Sequence, residues 1–408
     1  MKKSILVILI STLLLSGCNI IRALKAGKHL RKADFTSTNY FKEIPFELNT
    51  GHILIKVNVD KKQKSFFLDT GAPTAVSPDL TKEFHLKTLK NAVRDDSIKK
   101  VLPIIDEIAI TDLLYSNVGA IEINTTEMFS RSCEVIDGLI GANIISKNIW
   151  QIDFQQNKLR ISDSLSKFKF IDKAIRIPFE TSSFSKSPII RTKLENGEII
   201  KLVFDTGSNG FITFNTDDNR QFINSFNQKN ISEFYTKGYN SILGKEVAEQ
   251  KDTAYLIRTN LYFGTDSILN QTLTYGRYKN YSERKNGVIG NQFLKSFIVT
   301  IDYTSNTIFL YKYSDRNSYT GNFGFSYGFT RNKLMVGAIY KNTEAEKTGI
   351  MIDDEIIEIN GHKVADLSEK QLCDYASDKF NLIPEKQSKA TFVFKTKSGE
   401  IKKELIRN

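Results

Sequence analysis

Phe66-Phe67-Leu68-Asp69-Thr70-Gly71-Ala72 and Leu202-Val203-Phe204-Asp205-Thr206-Gly207-Ser208 state one motif twice. Each large apolar run reads as a buried strand, and each Asp-Thr-Gly as the turn that ends it. The surroundings repeat as well. Upstream, Ile44-Pro45-Phe46 answers Ile177-Pro178-Phe179. His52–Val59 alternates with period two before a charged turn at Asp60–Lys64, and Pro188–Leu194 runs into Glu195-Asn196-Gly197-Glu198, a hairpin signal. Downstream, Asp137-Gly138-Leu139-Ile140-Gly141 matches Asn286-Gly287-Val288-Ile289-Gly290. From those last glycines the copies run without a gap to Ile152-Asp153-Phe154 and Ile301-Asp302-Tyr303, then to turns at Gln155–Lys158 and Thr304–Thr307. Short strands dominate, so the chain carries a duplicated, mostly-β unit of roughly 120 to 140 residues.

The whole chain has 408 residues, 40% hydrophobic, 11% aromatic and 25% charged, with a net charge of +11. At about 150 residues per domain this is two or three domains, each able to bury a core. Disordered, collagen-like and low-complexity classes are excluded. Basic and acidic residues are interleaved, with no Lys/Arg stripe carrying stacked aromatics, which argues against nucleic acid as a partner. The four histidines, His29, His52, His85 and His362, sit in no metal-ligand spacing, so no metal is expected. There is no Gly-x-Ser-x-Gly elbow or phosphate loop. His52 reads as a half-buried strand residue, and Asp153 and Asp302 as structural turns. Cys133 and Cys373, far apart and in different domains, read as small core residues rather than a bridge.

Met1-Lys2-Lys3 followed by the apolar run Ile5–Leu15 fits a secretory signal peptide, too short to span a bilayer. Leu15-Ser16-Gly17-Cys18 resembles the bacterial lipobox. The resemblance implies removal of residues 1–17, a lipid on Cys18 and a place in the cell envelope. Asn19, not Asp, follows the cysteine, which by analogy with the sorting rule points to the outer membrane. Residues 18–40 then form a basic tether in which Arg22, Lys25, Lys28, Arg31 and Lys32 either face anionic headgroups or stay solvated.

Two Asp-Thr-Gly turns at matching places in a repeat, each with a distal apolar-apolar-Gly, resemble the pepsin and retropepsin superfamily of aspartic peptidases. The match spans roughly residues 40 to 315. It implies a bilobal acid-protease fold with lobes at 41–165 and 166–315, and Asp69 and Asp205 as the catalytic pair. Two carboxylates held about 3 Å apart cannot both ionise and share one proton. By the same resemblance Thr70 and Thr206 lock the loops across the pseudo-dyad, Gly71 and Gly207 allow the tight turn, and the two apolar-apolar-Gly segments pack beneath the aspartates. No cofactor is implied. Ala72 departs from the pepsin lobes, though retroviral enzymes carry Ala there, while Ser208 keeps the hydroxyl. The carboxylates are therefore expected to be unequally hydrogen-bonded. Asp69 to Gly141 spans 72 residues and Asp205 to Gly290 spans 85, so the second lobe holds the longer insertion, with Gly238-Tyr239-Asn240 and Leu243-Gly244 as a flap or an ordinary surface hairpin.

A polar linker at Tyr313–Ser318 precedes the last segment, 320–408. Its Ala345-Glu346-Lys347-Thr348-Gly349-Ile350 and Asp353-Asp354-Glu355-Ile356-Ile357-Glu358-Ile359-Asn360-Gly361 resemble a PDZ domain of the bacterial protease-associated type, with Asp353 where Gly is usual. That implies a peptide site around Gly324, Phe325, Ser326 and Tyr327, or else a rigid brace, and a groove helix over Leu367–Ser377. The expectation is a membrane-anchored aspartic endopeptidase acting on protein or peptide substrates. The alternative is a non-catalytic envelope lipoprotein that binds peptides in its cleft and PDZ domain.

Overall fold

A computed structural model describes residues 24–89, 94–95, 98–99, 101–129, 134–215, 220–237, 251–276, 286–313, 322–330, 333–376, 379–384 and 386–407. Cys18, the leader, Cys133, the linker after Tyr313 and the Gly238–Gly244 tip lie outside the described residues.

Each copy is built around one central hairpin. In the first, His52–Val59 pairs with Lys62–Asp69, and the turn is only Asp60-Lys61, both at positive φ. The charged run to Lys64 is already strand, since Val59 pairs with Lys62. In the second, Pro188–Leu194 pairs with Ile199–Phe204 around Gly197, at φ +89°. The second strand of each hairpin then takes a parallel neighbour from far downstream. Leu68 sits opposite Ile140 and Asp69 opposite Gly141, just as Phe204 sits opposite Ile289. Gly138 and Gly287 allow this insertion. A Cβ on Gly138 would strike Ala75 O and the Phe66 ring, and one on Gly287 would strike Thr213 O and Leu202. The two motif segments named from sequence are thus adjacent strands.

The copies meet in one six-stranded antiparallel layer. Ile149–Asp153 pairs with Phe297–Asp302, flanked by Lys158–Ser162 and Phe41–Pro45 on one side and by Thr307–Lys312 and Ile175–Thr181 on the other. Its centre is the Gln151/Thr300 pair, joined by a side-chain hydrogen bond of 3.0 Å. Both central strands are buried along their length, and one hydrophobic core runs through both copies. Asp153 and Asp302 are turn residues as read, accepting from Gln156 N and Thr304 N.

Residues 24–30 form a helix, and from there the segment read as a tether packs against the first copy. Ala26 and Leu30 lie in a small core with Leu102, the His29 ring bonds Pro103 O, and Asp34 bridges to Ser116. Among the described residues, no helix is long and apolar enough to cross a membrane.

The C-terminal segment has its own core, formed by the strands Phe325–Thr330, Lys333–Tyr340, Glu355–Ile359, Lys389–Thr396 and Gly399–Ile406. The helix expected over Leu367–Ser377 runs from Glu369 to Ala376, and Leu367 packs on the core just before it. Asp353 adopts φ +72°, the left-handed conformation that favours glycine. Two joints attach this module. Lys333–Tyr340 adds to the sheet of the second copy through Phe234/Tyr340, Tyr235/Ile339 and Thr236/Ala338. Lys379 reaches Glu47 of the first copy at 3.3 Å. Cys373 corrects the core reading: it is disulfide-bonded, and its partner lies outside the described residues.

Candidate active site

Asp69 is the last residue of its strand, and Asp205 follows directly on Ile199–Phe204. Each turns back on itself in the same way. Gly71 N donates to Asp69 Oδ1 at 2.8 Å, and Gly207 N donates to Asp205 Oδ1 at 2.8 Å. The loops then cross. Thr70 Oγ1 donates to Phe204 O at 2.6 Å and accepts from Thr206 N at 3.0 Å. Thr206 Oγ1 donates to Leu68 O and accepts from Thr70 N, both at 3.0 Å. Both threonines are fully buried, so losing one hydroxyl would strand a buried N–H and a buried carbonyl at once.

Closeness is what the glycines allow. A Cβ on Gly71 would overlap the Asp205 carboxylate, and one on Gly207 would overlap that of Asp69. The two turns thus bring the carboxyl groups to face each other at close range. Burial lifts both above the ordinary carboxylate range, Asp69 well above it because it also faces the Asp205 charge. Asp205 is lifted less. The Asp69 carboxyl group and then the backbone N–H groups of Gly207, Ser208 and Gly71 oppose its rise, whereas for Asp69 only those of Gly71 and Ala72 do. The two carboxyl groups therefore titrate as a unit. The inequality expected from Ala72 and Ser208 does not arise from a hydroxyl bond to a carboxylate. The Ser208 hydroxyl instead accepts from Gly210 N at 3.4 Å.

Beneath the pair lie Ile140 and Ile289, both fully buried. The residues just after their glycines are held to the turns by backbone bonds, Ala142 N to Ala72 O and Asn291 N to Ser208 O, each 2.8 Å. Leu139 points elsewhere, into a small cluster with Leu54 and Phe67.

Several residues at the site went unnoticed in the sequence. Asn143 takes Thr74 N and Thr74 Oγ1 on its Oδ1 and donates to Lys32 O and Gly119 O. Asn291 donates to Thr206 O at 2.7 Å and to Gly51 O of the first copy at 3.0 Å. Asn209 donates to Thr50 O at 2.8 Å. These bonds hold a strained turn, because Thr50 and Gly51 both sit at positive φ and Thr50 is β-branched. His52, next along, sits on Phe67 and Phe129 with its Nδ1 3.1 Å from Thr50 Oγ1 and the Gly207 carbonyl beside its ring. Burial holds that imidazole below the usual histidine range. An asparagine one or two residues after each apolar-apolar-Gly was the available signal.

The four C-terminal residues do not form one open donor set. Gly324 N is taken by Asn322 Oδ1 and Gly324 O by Tyr340 N, while Phe325 belongs to the core. Ser326 is exposed, and Tyr327 packs against the core with its hydroxyl pushed up by burial. Phe329 on the same strand touches Tyr375 of the neighbouring helix, ring centroids 5.1 Å apart. Among the described residues, no group of three His, Cys, Asp or Glu side chains is placed to hold a metal.

No family model matches the chain, and no curated protein matches it. Solved structures that match include the crystal structure of a retropepsin-like aspartic protease from Rickettsia conorii. The identity is 16%, with 31% of this chain and 96% of that chain covered, at a TM-score of 0.24. The paired carboxylates and their crossed turns, rather than this likeness, carry the functional reading.

Proposed function

We propose that the protein is an aspartic endopeptidase of bilobal, pepsin/retropepsin-like build that hydrolyses peptide bonds with Asp69 and Asp205. The observation behind it is the contact of two buried carboxyl groups, one from each copy, at the ends of turns locked by reciprocal threonine bonds. Such a pair performs acid–base chemistry on one proton. The ionised carboxylate removes a proton from a water bound between the two, and that water attacks the scissile carbonyl carbon. The protonated partner donates to the carbonyl oxygen. Collapse of the tetrahedral intermediate passes a proton to the leaving amine and restores the shared one. Fixed backbone N–H groups on each carboxylate keep the geometry ready before substrate arrives.

In the same proposal, Cys18 carries a lipid that anchors the protein to the envelope, with the outer membrane preferred. Residues 320–408 are a PDZ-type module that positions peptides or braces the second lobe. Strand addition at the edge of Phe325–Thr330, which pairs only with Lys333–Tyr340 among the described residues, is the mode that suits it. The test is cleavage of a peptide library by the full chain from pH 3 to 8, beside Asp205→Asn. Cleavage that falls about 10³-fold or more in the variant supports the reading. A folded wild-type chain that cuts nothing at any pH overturns it in favour of a peptide-binding lipoprotein.

A further inference from the structure

One face of the molecule gathers positive charge, with Asp34 the exposed carboxylate nearest in sequence. Residues 1–33 contain no Asp or Glu. In the helix formed by residues 24–30, Ala26, His29 and Leu30 turn inward, leaving Leu24, Lys25 and Lys28 outward, with Lys32 exposed just beyond it. Arg31 NH1 donates to Ser183 O at 2.6 Å, which ties this helix to the Ser182–Ser187 turn of the second copy. The turn is pinned by its own hydroxyls, with Ser185 and Ser187 bonded at 2.6 Å. It presents Phe184 beside Gly27, 47% exposed, near Leu24, 67% exposed. Lys186 and Lys147 stand close by, and the Lys186 ammonium is held below the usual lysine range by burial and by the like charges of Lys147 and Arg31. None of Lys25, Lys28, Arg31, Lys32, Lys147 and Lys186 makes an ion pair among the described residues. Lys42, Lys158 and Lys167 elsewhere on the first copy each hold a carboxylate.

We propose that this face, with Leu24 and Phe184 as apolar contacts ringed by these cations, rests on an anionic lipid surface and fixes how the molecule stands on it. Two observations select that occupant. The charge is complementary to acidic headgroups, each basic residue adding attraction that falls off within a Debye length. Leu24, the first described residue, also stands on this face six positions after Cys18, so a lipid on that cysteine, as proposed above, would hold this face within reach of the bilayer. Exposed aromatic and leucine side chains amid lysines are what an interfacial contact requires. The inference does not depend on peptidase activity.

Trp150 is the chain's only tryptophan and is fully buried, so a second one reports alone. Full-length Phe184→Trp and Ile406→Trp, the latter at an exposed site in the C-terminal module, are bound to vesicles of brominated lipid. Several-fold stronger quenching at 184 than at 406 in phosphatidylglycerol vesicles is expected. Addition of Lys25→Glu and Lys28→Glu should bring it down to the 406 level. Equal quenching at the two sites overturns the proposal, because the body then merely hangs from its N-terminus. Equal quenching at 184 in phosphatidylglycerol and pure phosphatidylcholine also overturns it, because the cations then do nothing.

Discussion

Asn143 in the first copy uses every donor and acceptor within residues 32–119, whereas Asn291 in the second reaches out of its copy to Gly51. The two turns above them are the same to within 0.4 Å in their crossed threonine bonds, yet one asparagine braces its own unit and the other joins the units. The carboxylates themselves keep the symmetry, each accepting the N–H of the glycine two residues on at 2.8 Å. Symmetry is kept where two carboxyl groups must face each other across an axis. It is abandoned one layer out, where each turn meets its surroundings.

The comparison can be broken most severely at the threonines. Thr70→Val and Thr206→Val each strand a buried N–H and a buried carbonyl, for an expected loss of about 2–4 kcal/mol in chemical denaturation. Equivalent turns require similar losses, and a difference much above 1 kcal/mol would mean that one turn carries the other.

Next come the asparagines. Asn143→Ala, which removes four bonds, should cost about 3 kcal/mol of stability. Asn291→Ala removes two and already leaves its Oδ1 unpartnered, so its stability cost should be smaller. Its effect on kcat/KM should be the larger one, since it loosens the Gly51 turn beside the dyad. A reversed order in either measurement would undo the distinction between brace and joint.

The burial of the two carboxyl groups predicts a pH-dependent effect. Asp69 has its folded pKa raised above the unfolded value, so the native state keeps a proton that the unfolded state has lost. The resulting cost is absent below the unfolded carboxylate range near pH 4 and grows as pH rises toward and through the folded value. Asp69→Asn never ionises, so it should raise the melting temperature at pH 7 and change it little at pH 3. Asp205→Asn should do the same. Stabilisation greater at pH 3 would contradict the assignment. The smallest effect is expected from Ala72→Ser, within about 0.5 kcal/mol and without a shifted pH optimum, because the Ser208 hydroxyl at the matching position bonds Gly210 N rather than a carboxylate.

The duplicated turns were legible because their signals are local: apolar runs, an Asp-Thr-Gly, a paired glycine with two apolar residues before it. The hairpins followed from alternation and from Asn196-Gly197. What joins the copies was not legible. Nothing near Ile149–Asp153 names Phe297–Asp302 as its partner, and nothing near Phe234 names Tyr340, since antiparallel pairing between distant segments leaves no local mark. The helix at residues 24–30 was masked by its lysines, although Ala26, His29 and Leu30 have the spacing of a buried stripe. Asn291 resembled any polar residue after a glycine, because its role depends on Gly51, 240 positions away. The bonding of Cys373 was likewise invisible in spacing alone.

The most direct test of the shared proton is the pH profile of kcat/KM for peptide cleavage by the full chain, measured beside Asp69→Asn and Asp205→Asn. A bell with two limbs, and activity lost in both variants at every pH, is the predicted result. Cleavage that survives in either variant would contradict it, since half of a dyad sharing one proton cannot do the work of both.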